Sequence, residues 1–195
     1  MQVWHAVGTI PIAMDSLRGQ LLIAAPTLVD PNFQRTVVLV TEHTDEGAMG
    51  LVLNRPTETT VAEAAPELAG VAGPMERVHA GGPVQPRAVV VLAEFVDPAA
   101  SAHVVLGDIG FVRADADLDD LGMETRRGRV YAGYAGWGPG QLESELEAEG
   151  WFVVQDPRPD DLFSVGAEEL WRTVLERQGG HLALIARMPL DPSLN

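Results

Sequence analysis

Short runs of apolar residues, most of them rich in β-branched side chains, recur along the chain and end at Pro, Gly, Asp or Asn. Runs of this kind predict β-strands. Their apolar residues are consecutive rather than alternating with polar ones, which indicates that both faces of the strands are covered. The predicted strands span residues 21–25, 37–40, 48–53, 88–93, 104–106 and 182–186, with 129–134 and 151–155 as further candidates.

The strongest hairpin signal joins residues 36–42 to residues 48–54. The segment between them, His43-Thr44-Asp45-Glu46-Gly47, is acidic and ends on a glycine. Turn-forming residues between two apolar strands are typical of a β-hairpin. We therefore predict antiparallel pairing of these two strands.

Helical signals are fewer. Residues 139–149 have Pro139 in the first turn, Leu142 and Leu146 four residues apart, and Gly150 at the end. Residues 165–178 follow Ser164, a suitable N-cap, and carry apolar residues on one face. Shorter acidic helices are predicted over 60–68 and 117–121.

Strands that precede and interleave with helices, without regular alternation, predict the α+β class. We expect a strongly curved, mixed β-sheet body with a few flanking helices. The length of 195 residues fits a single domain spanning residues 1–195.

The counts of charged residues and the absence of two residue types exclude several classes of catalytic and binding site. The 28 acidic residues outnumber the 13 basic ones, all of which are Arg, and the formal net charge is −15. The absence of Lys and Cys excludes Schiff-base lysine chemistry, a Walker-type phosphate loop, thiol nucleophiles and cysteine-ligated metals. A strongly acidic chain also repels phosphate backbones, so we expect no direct nucleic-acid partner.

Residues 1–14 lack a basic n-region, and Pro11 interrupts their apolar part, so they predict no secretory signal. No apolar stretch approaches the roughly 18 residues of a membrane-spanning helix. We therefore expect a cytoplasmic protein without a membrane partner.

Several motifs occur together in close order. The sequence GQLLIAAP begins at Gly19, an EH pair at Glu42 leads into GAMGLVLNRP, and GGPV begins at Gly81. GWGPGQLE runs from Gly136, and Trp151 follows it. Over nearly its whole length the chain resembles the YqgE/AlgH family of small, mostly uncharacterised bacterial proteins. The departures are the segment 58–75 and the absence of Lys.

This resemblance implies an α+β fold with sheets bent into a barrel-like body. It implies little about chemistry, although one branch of the family has a name associated with transcriptional control of alginate production.

Glu42 and His43 could form a general acid–base pair or part of a metal site. A metal site would need a third ligand, for which His79 and His103 are candidates, and no ligand spacing marks one. The alternative is a hairpin end, in which sequential residues point to opposite faces. We favour the alternative and expect no catalytic residue, no metal and no cofactor.

Two further segments have a functional and a structural interpretation. Arg55, after Asn54, could clamp a carboxylate or phosphate, or pair with an internal acid at a turn. Gly81 and Gly82 could cradle an anion through free N–H groups, or form a tight turn. The structural interpretation is favoured in both cases.

The segment with Tyr134, Trp137 and Gln141 combines glycines, aromatic rings and a helix start, which is typical of small-molecule pockets. An anion could bind at this helix start, or the glycines could serve packing while Glu143 satisfies the helix end. The same helix carries like-charged pairs, Glu143 with Glu147 and Glu145 with Glu149. Three interpretations of this acidic face are open: it is exposed to solvent, it lies beside Arg126, Arg127 and Arg129, or it docks a basic partner.

Three functions remain. The preferred one is a non-enzymatic cytosolic binding or regulatory protein that acts indirectly, through a small ligand or a protein partner whose identity the sequence leaves open. The alternatives are an enzyme using Glu42 and His43 on an anionic substrate, and a regulator that contacts DNA, which the net charge disfavours. The enzyme requires Glu42, His43 and Arg55 to converge within ~4 Å of one cavity.

Overall fold

A computed structural model describes residues 16–163 and 169–188. Within these ranges ten strands alternate with short helices. The strands are β1 Leu21–Ala24, β2 Val37–Thr44, β3 Gly47–Val52, β4 Pro56–Thr60, β5 Arg77–Ala80, β6 Val84–Phe95, β7 His103–Leu106, β8 Ile109–Phe111, β9 Thr125–Trp137 and β10 Trp151–Val154. The helices are α1 Val61–Ala64, α2 Ala69–Ala72, α3 Leu118–Glu124, α4 Gln141–Glu147, α5 Pro159–Phe163, α6 Leu170–Gln178 and α7 Gly180–Ile185.

One curved, open sheet contains all of these strands. The main path runs β10-β1-β2-β3-β9-β6-β8-β7, and each neighbouring pair on it is antiparallel. Strand β5 pairs antiparallel with β4 and parallel with β9, which makes the sheet mixed. The predicted α+β class with a curved, mixed sheet is confirmed.

Both faces of the sheet are buried at its centre. Leu21 and Ile23 of β1 belong to a cluster beneath α6, whereas Leu22 and Ala24 belong to a second cluster beneath α4. Burial of each such aliphatic side chain stabilises the folded state by about 1.5–3 kcal/mol relative to leaving it exposed. The continuous apolar runs of β1 and β2 therefore match two apolar environments, as their pattern predicts.

The predicted hairpin is formed by β2 and β3. Thr44 pairs with Gly47, so the loop contains only Asp45 and Glu46 and is shorter than expected. The ladder also contains a β-bulge, because Val40 pairs with Gly50 while Glu42 pairs with Met49. The extra residue is Thr41, whose hydroxyl donates to the Met49 carbonyl at 3.1 Å.

The expectation of a strand over residues 182–186 is wrong, because these residues lie mostly in α7. Gly179, with φ of +74°, ends α6, and α7 begins immediately after it. Leu182 and Ile185, three residues apart, both pack against the core. A short apolar run has no periodicity that separates a strand from a buried helix turn.

The other predicted helices differ in length from the observed ones. The helix expected over 139–149 is the shorter α4, and the helix expected over 117–121 is the longer α3. The helix expected over 60–68 is α1 followed by a 3₁₀ turn at Pro66–Leu68. The start of the helix expected over 165–178, with Ser164 as its cap, lies outside the described residues, and α6 covers the remainder. In the part of the chain that the structure describes, no helix has the length and apolarity needed to cross a bilayer.

The turn at Gly81 and Gly82 lies against the backbone of β9. A Cβ atom on Gly81 would lie 2.2 Å from the Gly133 carbonyl oxygen, and one on Gly82 would lie 2.2 Å from the Tyr134 carbonyl carbon. The atoms that such a Cβ would meet belong to the backbone of β9, so no side-chain rotation relieves the contacts. The two glycines therefore allow the β5–β6 connection to approach β9.

We predict that Gly81→Ala destabilises the fold by about 1–3 kcal/mol or more, the range for over-packed sites. Gly70→Ala is the control, since Gly70 is exposed in α2 and an added Cβ meets nothing within 4 Å. That substitution should be neutral or stabilising by about 0.5–1 kcal/mol. Urea unfolding followed by circular dichroism measures both, and equal stabilities of the two variants would contradict the close-approach explanation.

Candidate functional site

The His43 side chain is a structural link between three segments. It is only 6% exposed, and its Nδ1 accepts a hydrogen bond from the Leu17 backbone N–H at 3.0 Å. The ring proton therefore lies on Nε2, which donates to Glu143 Oε1 at 2.7 Å. Hydrogen bonds from the backbone N–H of Glu143 and from His43 lower the pKa of the Glu143 carboxyl. Both ring nitrogens are thus occupied.

Glu42 and His43 point to opposite faces of β2. His43 lies opposite Ala48, which packs in the cluster beneath α4, whereas Glu42 lies opposite Met49 and is exposed. Arg55, after the other end of β3, donates from Nη2 to the Gln34 carbonyl at 2.5 Å. The enzyme hypothesis required these three side chains to converge on one cavity. The contacts of the described residues do not bring them together.

Asn54 is buried and closes the end of the hairpin. Its Oδ1 accepts from the Val37 N–H and its Nδ2 donates to the Arg35 carbonyl, both at 2.9 Å. The side-chain amide thus replaces a pair of ladder hydrogen bonds. Within the described ranges Arg55 forms no ion pair with an acid, and its side chain contacts the Gln34 carbonyl rather than the expected carboxylate.

The backbone of Gly81 is fully engaged. Its N–H donates to the Ala132 carbonyl and its carbonyl accepts from the Val52 N–H, both at 2.9 Å. Together with the close contacts of Gly82, this leaves the N–H of Gly81 unavailable to an anion. Tyr134 is half-buried and packs against the cluster beneath α6.

An aromatic cluster forms where the glycine-rich segment meets α4. The rings of Phe33, Trp137 and Trp151 have centroids 5.6–6.2 Å apart. Glu145 holds both indoles, since its Oε2 accepts from Trp137 Nε1 at 3.0 Å and from Trp151 Nε1 at 2.8 Å. The two indoles are nearly fully buried, so this carboxylate anchors the helix to the sheet.

Gln141 completes this network. Its Nε2 donates to Glu145 Oε1 at 3.0 Å, and its Oε1 accepts from the Gly138 N–H at 3.1 Å. The start of α4 is therefore filled by the chain's own side chains, in surroundings that already contain the carboxylates of Glu143 and Glu145. This arrangement disfavours the anionic ligand expected there.

The arginines proposed to lie beside α4 lie elsewhere. Arg126 and Arg127 pair with Glu94, and Arg129 contacts Glu76 and the Leu162 carbonyl. That interpretation of the acidic helix is wrong. Glu143 instead accepts a hydrogen bond from His43, and Glu145 accepts from Gln141 and from two indole N–H groups. The role of Glu145 was not identified from the sequence, although its four-residue spacing from Gln141 could have indicated it.

Two of the candidate residues do share a cleft, at the tip of the hairpin. We define the acidic cleft by its lining residues: Glu42, Thr44, Glu46, Gly47, Ala48, Met49 and Trp137. Its volume is about 220 Å³. Both glutamates are exposed, and no Arg in the described ranges forms an ion pair with either.

His79 lies inside the protein, away from this cleft. It is 2% exposed, its Nδ1 donates to the Arg77 carbonyl at 3.0 Å, and its Nε2 is a buried polar atom with no hydrogen-bond partner among the described residues. Burial, and then the charge of Arg129, lower the pKa of His79 to about 4. Within the described ranges, no three His, Asp or Glu side chains gather to hold a metal ion.

The chain is similar to known proteins over most of its length. The AlgH-like family matches residues 21–183. A UPF0301 protein of Streptomyces coelicolor is 44% identical over 188 residues, which cover 93% of this chain and 97% of that protein. A UPF0301 protein of Thermobifida fusca is 40% identical over 191 residues, which cover 92% and 96%.

Two solved structures show the same fold. A crystal structure of a Corynebacterium diphtheriae protein has a TM-score of 0.81 at 29% identity and covers 90% of this chain and 93% of its own. The solution structure of the AlgH protein from Pseudomonas aeruginosa has a TM-score of 0.68 at 30% identity and covers 97% and 98%.

We predict that Glu145→Ala destabilises the protein by about 2–4 kcal/mol, because two buried indole N–H groups lose their acceptor and each loss costs roughly 1–3 kcal/mol. Glu147→Ala, which removes the same group from an exposed position of α4, should stay within about 0.5 kcal/mol of the wild type. Chemical denaturation with tryptophan fluorescence measures both. Similar losses in the two variants would show that Glu145 does not anchor the indoles.

We predict that His79 makes stability fall with acidification. Its folded pKa of about 4 lies below the ordinary value of 6.5, so between these values the unfolded chain binds more protons. The stabilisation is complete above pH 6.5 and is lost toward pH 4. His79→Gln should reduce the loss between pH 7 and pH 4 by on the order of 3 kcal/mol.

Urea unfolding at a series of pH values tests this expectation. His103→Gln removes an exposed imidazole from β7 and serves as the control. Parallel pH profiles for the wild type and His79→Gln would contradict the assignment.

Proposed function

The chain belongs to the AlgH-like family, and we propose that it acts as a non-enzymatic binding protein whose acidic cleft takes a cationic group of a protein partner or small ligand. Any regulatory effect then passes through that partner. The proposal places the protein in the cytoplasm.

The acidic cleft carries this proposal. Glu42, near the end of β2, and Glu46, in the loop that follows, line the cleft together with Met49 and Trp137. Within the described ranges neither glutamate has an Arg partner. A cationic side chain with an apolar stem, such as that of Arg or Lys, satisfies both parts of such a cleft. The net charge of −15 adds a long-range attraction for a basic partner.

The other hypotheses have less support. An acid–base mechanism needs Glu42 and His43 to share a reacting atom, whereas His43 is occupied by Leu17 and Glu143. Direct DNA contact needs cations directed at phosphates, whereas Arg113, Arg126 and Arg127 are already paired with carboxylates.

The acidic cleft is tested by titrating the ¹⁵N-labelled protein with N-acetyl-arginine amide at low salt. We expect amide shifts at residues 44–49 that weaken as salt is added, because the attraction is electrostatic. The uncharged N-acetyl-glutamine amide should produce much smaller shifts.

A matched pair of double variants provides the control. Glu42→Gln with Glu46→Gln should reduce arginine binding at least fivefold. Glu147→Gln with Glu149→Gln changes the net charge by the same amount, at exposed positions at the C-terminal end of α4. This second double variant should bind arginine within twofold of the wild type. Equal losses in the two double variants, or no shifts in the wild type, would refute the proposed cleft.

A further inference from the structure

A second concavity lies beside β6. We define the β6 groove by its lining residues: Met49, Glu67, Leu68, Val89, Val90, Val91, Phe111, Val112, Arg113, Ala114 and Leu118. Its volume is about 470 Å³, and most of its lining is aliphatic or aromatic. Val89 is 61% exposed, and Leu118 is also exposed, so apolar surface at this groove faces solvent.

The groove follows a strand edge that is open. On the side of β6 away from β9, strand β8 pairs only with Leu92, Ala93 and Glu94. One more hydrogen bond continues this pairing, from the Val112 N–H to the Val91 carbonyl at 2.9 Å. No strand of the described chain pairs with the same edge at Val89 or before it.

The backbone direction at this edge follows from strand geometry. In an antiparallel strand, alternate residues direct their N–H and C=O groups to the same side. Because the Val91 carbonyl faces Val112, the backbone of Val89 faces the open edge. An open edge beside an apolar groove is the arrangement used when an extended peptide adds a strand to a sheet.

The charges around the groove select the kind of occupant. Met49 lines both the β6 groove and the acidic cleft, so the two are neighbours on the surface. Glu67 contributes a carboxylate to the groove, and Arg113 is neutralised by Asp115 through two hydrogen bonds of 3.0 Å. A chain with a net charge of −15 opposes close approach of a second copy and favours a basic segment.

We propose that the β6 groove binds an extended segment of a protein partner, in which apolar and basic side chains alternate, as an added strand on the free edge at Val89. Apolar side chains of the segment fill the groove. Its basic side chains alternate with them on the other face of the added strand, where the net charge of −15 attracts them. This inference rests on the proposed function only in taking the partner to be cationic.

The probe is the octapeptide acetyl-(Val-Lys)₄-amide, titrated into the ¹⁵N-labelled protein. We expect amide shifts at residues 89–91 and at residue 112. Two altered probes separate the contributions: acetyl-(Val-Glu)₄-amide reverses the charge, and an octapeptide with N-methylated valines lacks the ladder donors. Each should bind at least tenfold more weakly than the Val-Lys peptide.

Protein variants provide the matched control. Val89→Ser removes apolar surface from the groove, whereas Val29→Ser removes it from a site that is 77% exposed and does not line the groove. The first should weaken binding of the Val-Lys peptide at least tenfold and the second less than twofold. Both positions are exposed, so both variants are expected to fold.

The outcomes separate this inference from the proposed function. Shifts confined to residues 44–49 would overturn the added-strand proposal and leave the acidic cleft standing. Shifts at residues 89–91 with the Val-Lys peptide, without any response to N-acetyl-arginine amide, would support the groove and refute the cleft. Equal binding of the N-methylated peptide, or a dimer in light scattering that Val89→Ser dissociates, would overturn the proposed occupant.

Discussion

Burial of both faces of β1, β2 and β3 is the constraint on which the rest of this structure depends. Consecutive residues of these strands enter two separate apolar clusters, one beneath α6 and one beneath α4. A shift of register by one residue would exchange the two sets of side chains. The polar contacts at the margins hold that register: the Asn54 amide closes one end of the hairpin, and His43 joins its other end to Glu143.

The distribution of charge follows from the same constraint. Elements that cover the sheet are anchored by carboxylates turned inward, among them Glu145 on the two indoles and Asp161, which receives two hydrogen bonds from Arg177. With 13 arginines for 28 acids, the cations engaged in such contacts leave carboxylates elsewhere without a partner. Within the described ranges, Glu42 and Glu46 are in that position, and this is the physical basis for proposing a cationic ligand at the hairpin tip rather than the acid–base pair or metal site considered from the sequence.

The predictions that were confirmed rest on patterns of residues close together in the sequence. The apolar runs of β1, β2 and β3 and the turn residues between β2 and β3 are sufficient to indicate the hairpin and the curved α+β sheet. The signal was weaker where pairing is long-range: Pro56–Thr60 is polar yet forms β4, because its partner is β5. The site was predictable only in part. Two of the candidate residues, Trp137 and Glu42, do line one cleft. The roles of Asn54 and Gly81 could not be predicted, because their hydrogen-bond partners are distant in sequence.

The pairing of β1 with β10 has a consequence for synthesis of the chain. Leu21 pairs with Val154, and the Ala24 carbonyl accepts from the Trp171 indole N–H at 2.8 Å, so one edge of an entirely buried strand is completed by residues near the other end of the chain. A ribosome adds only about 5–20 residues per second. During synthesis, the apolar edge of β1 therefore stays uncovered for at least several seconds, until β10 has emerged.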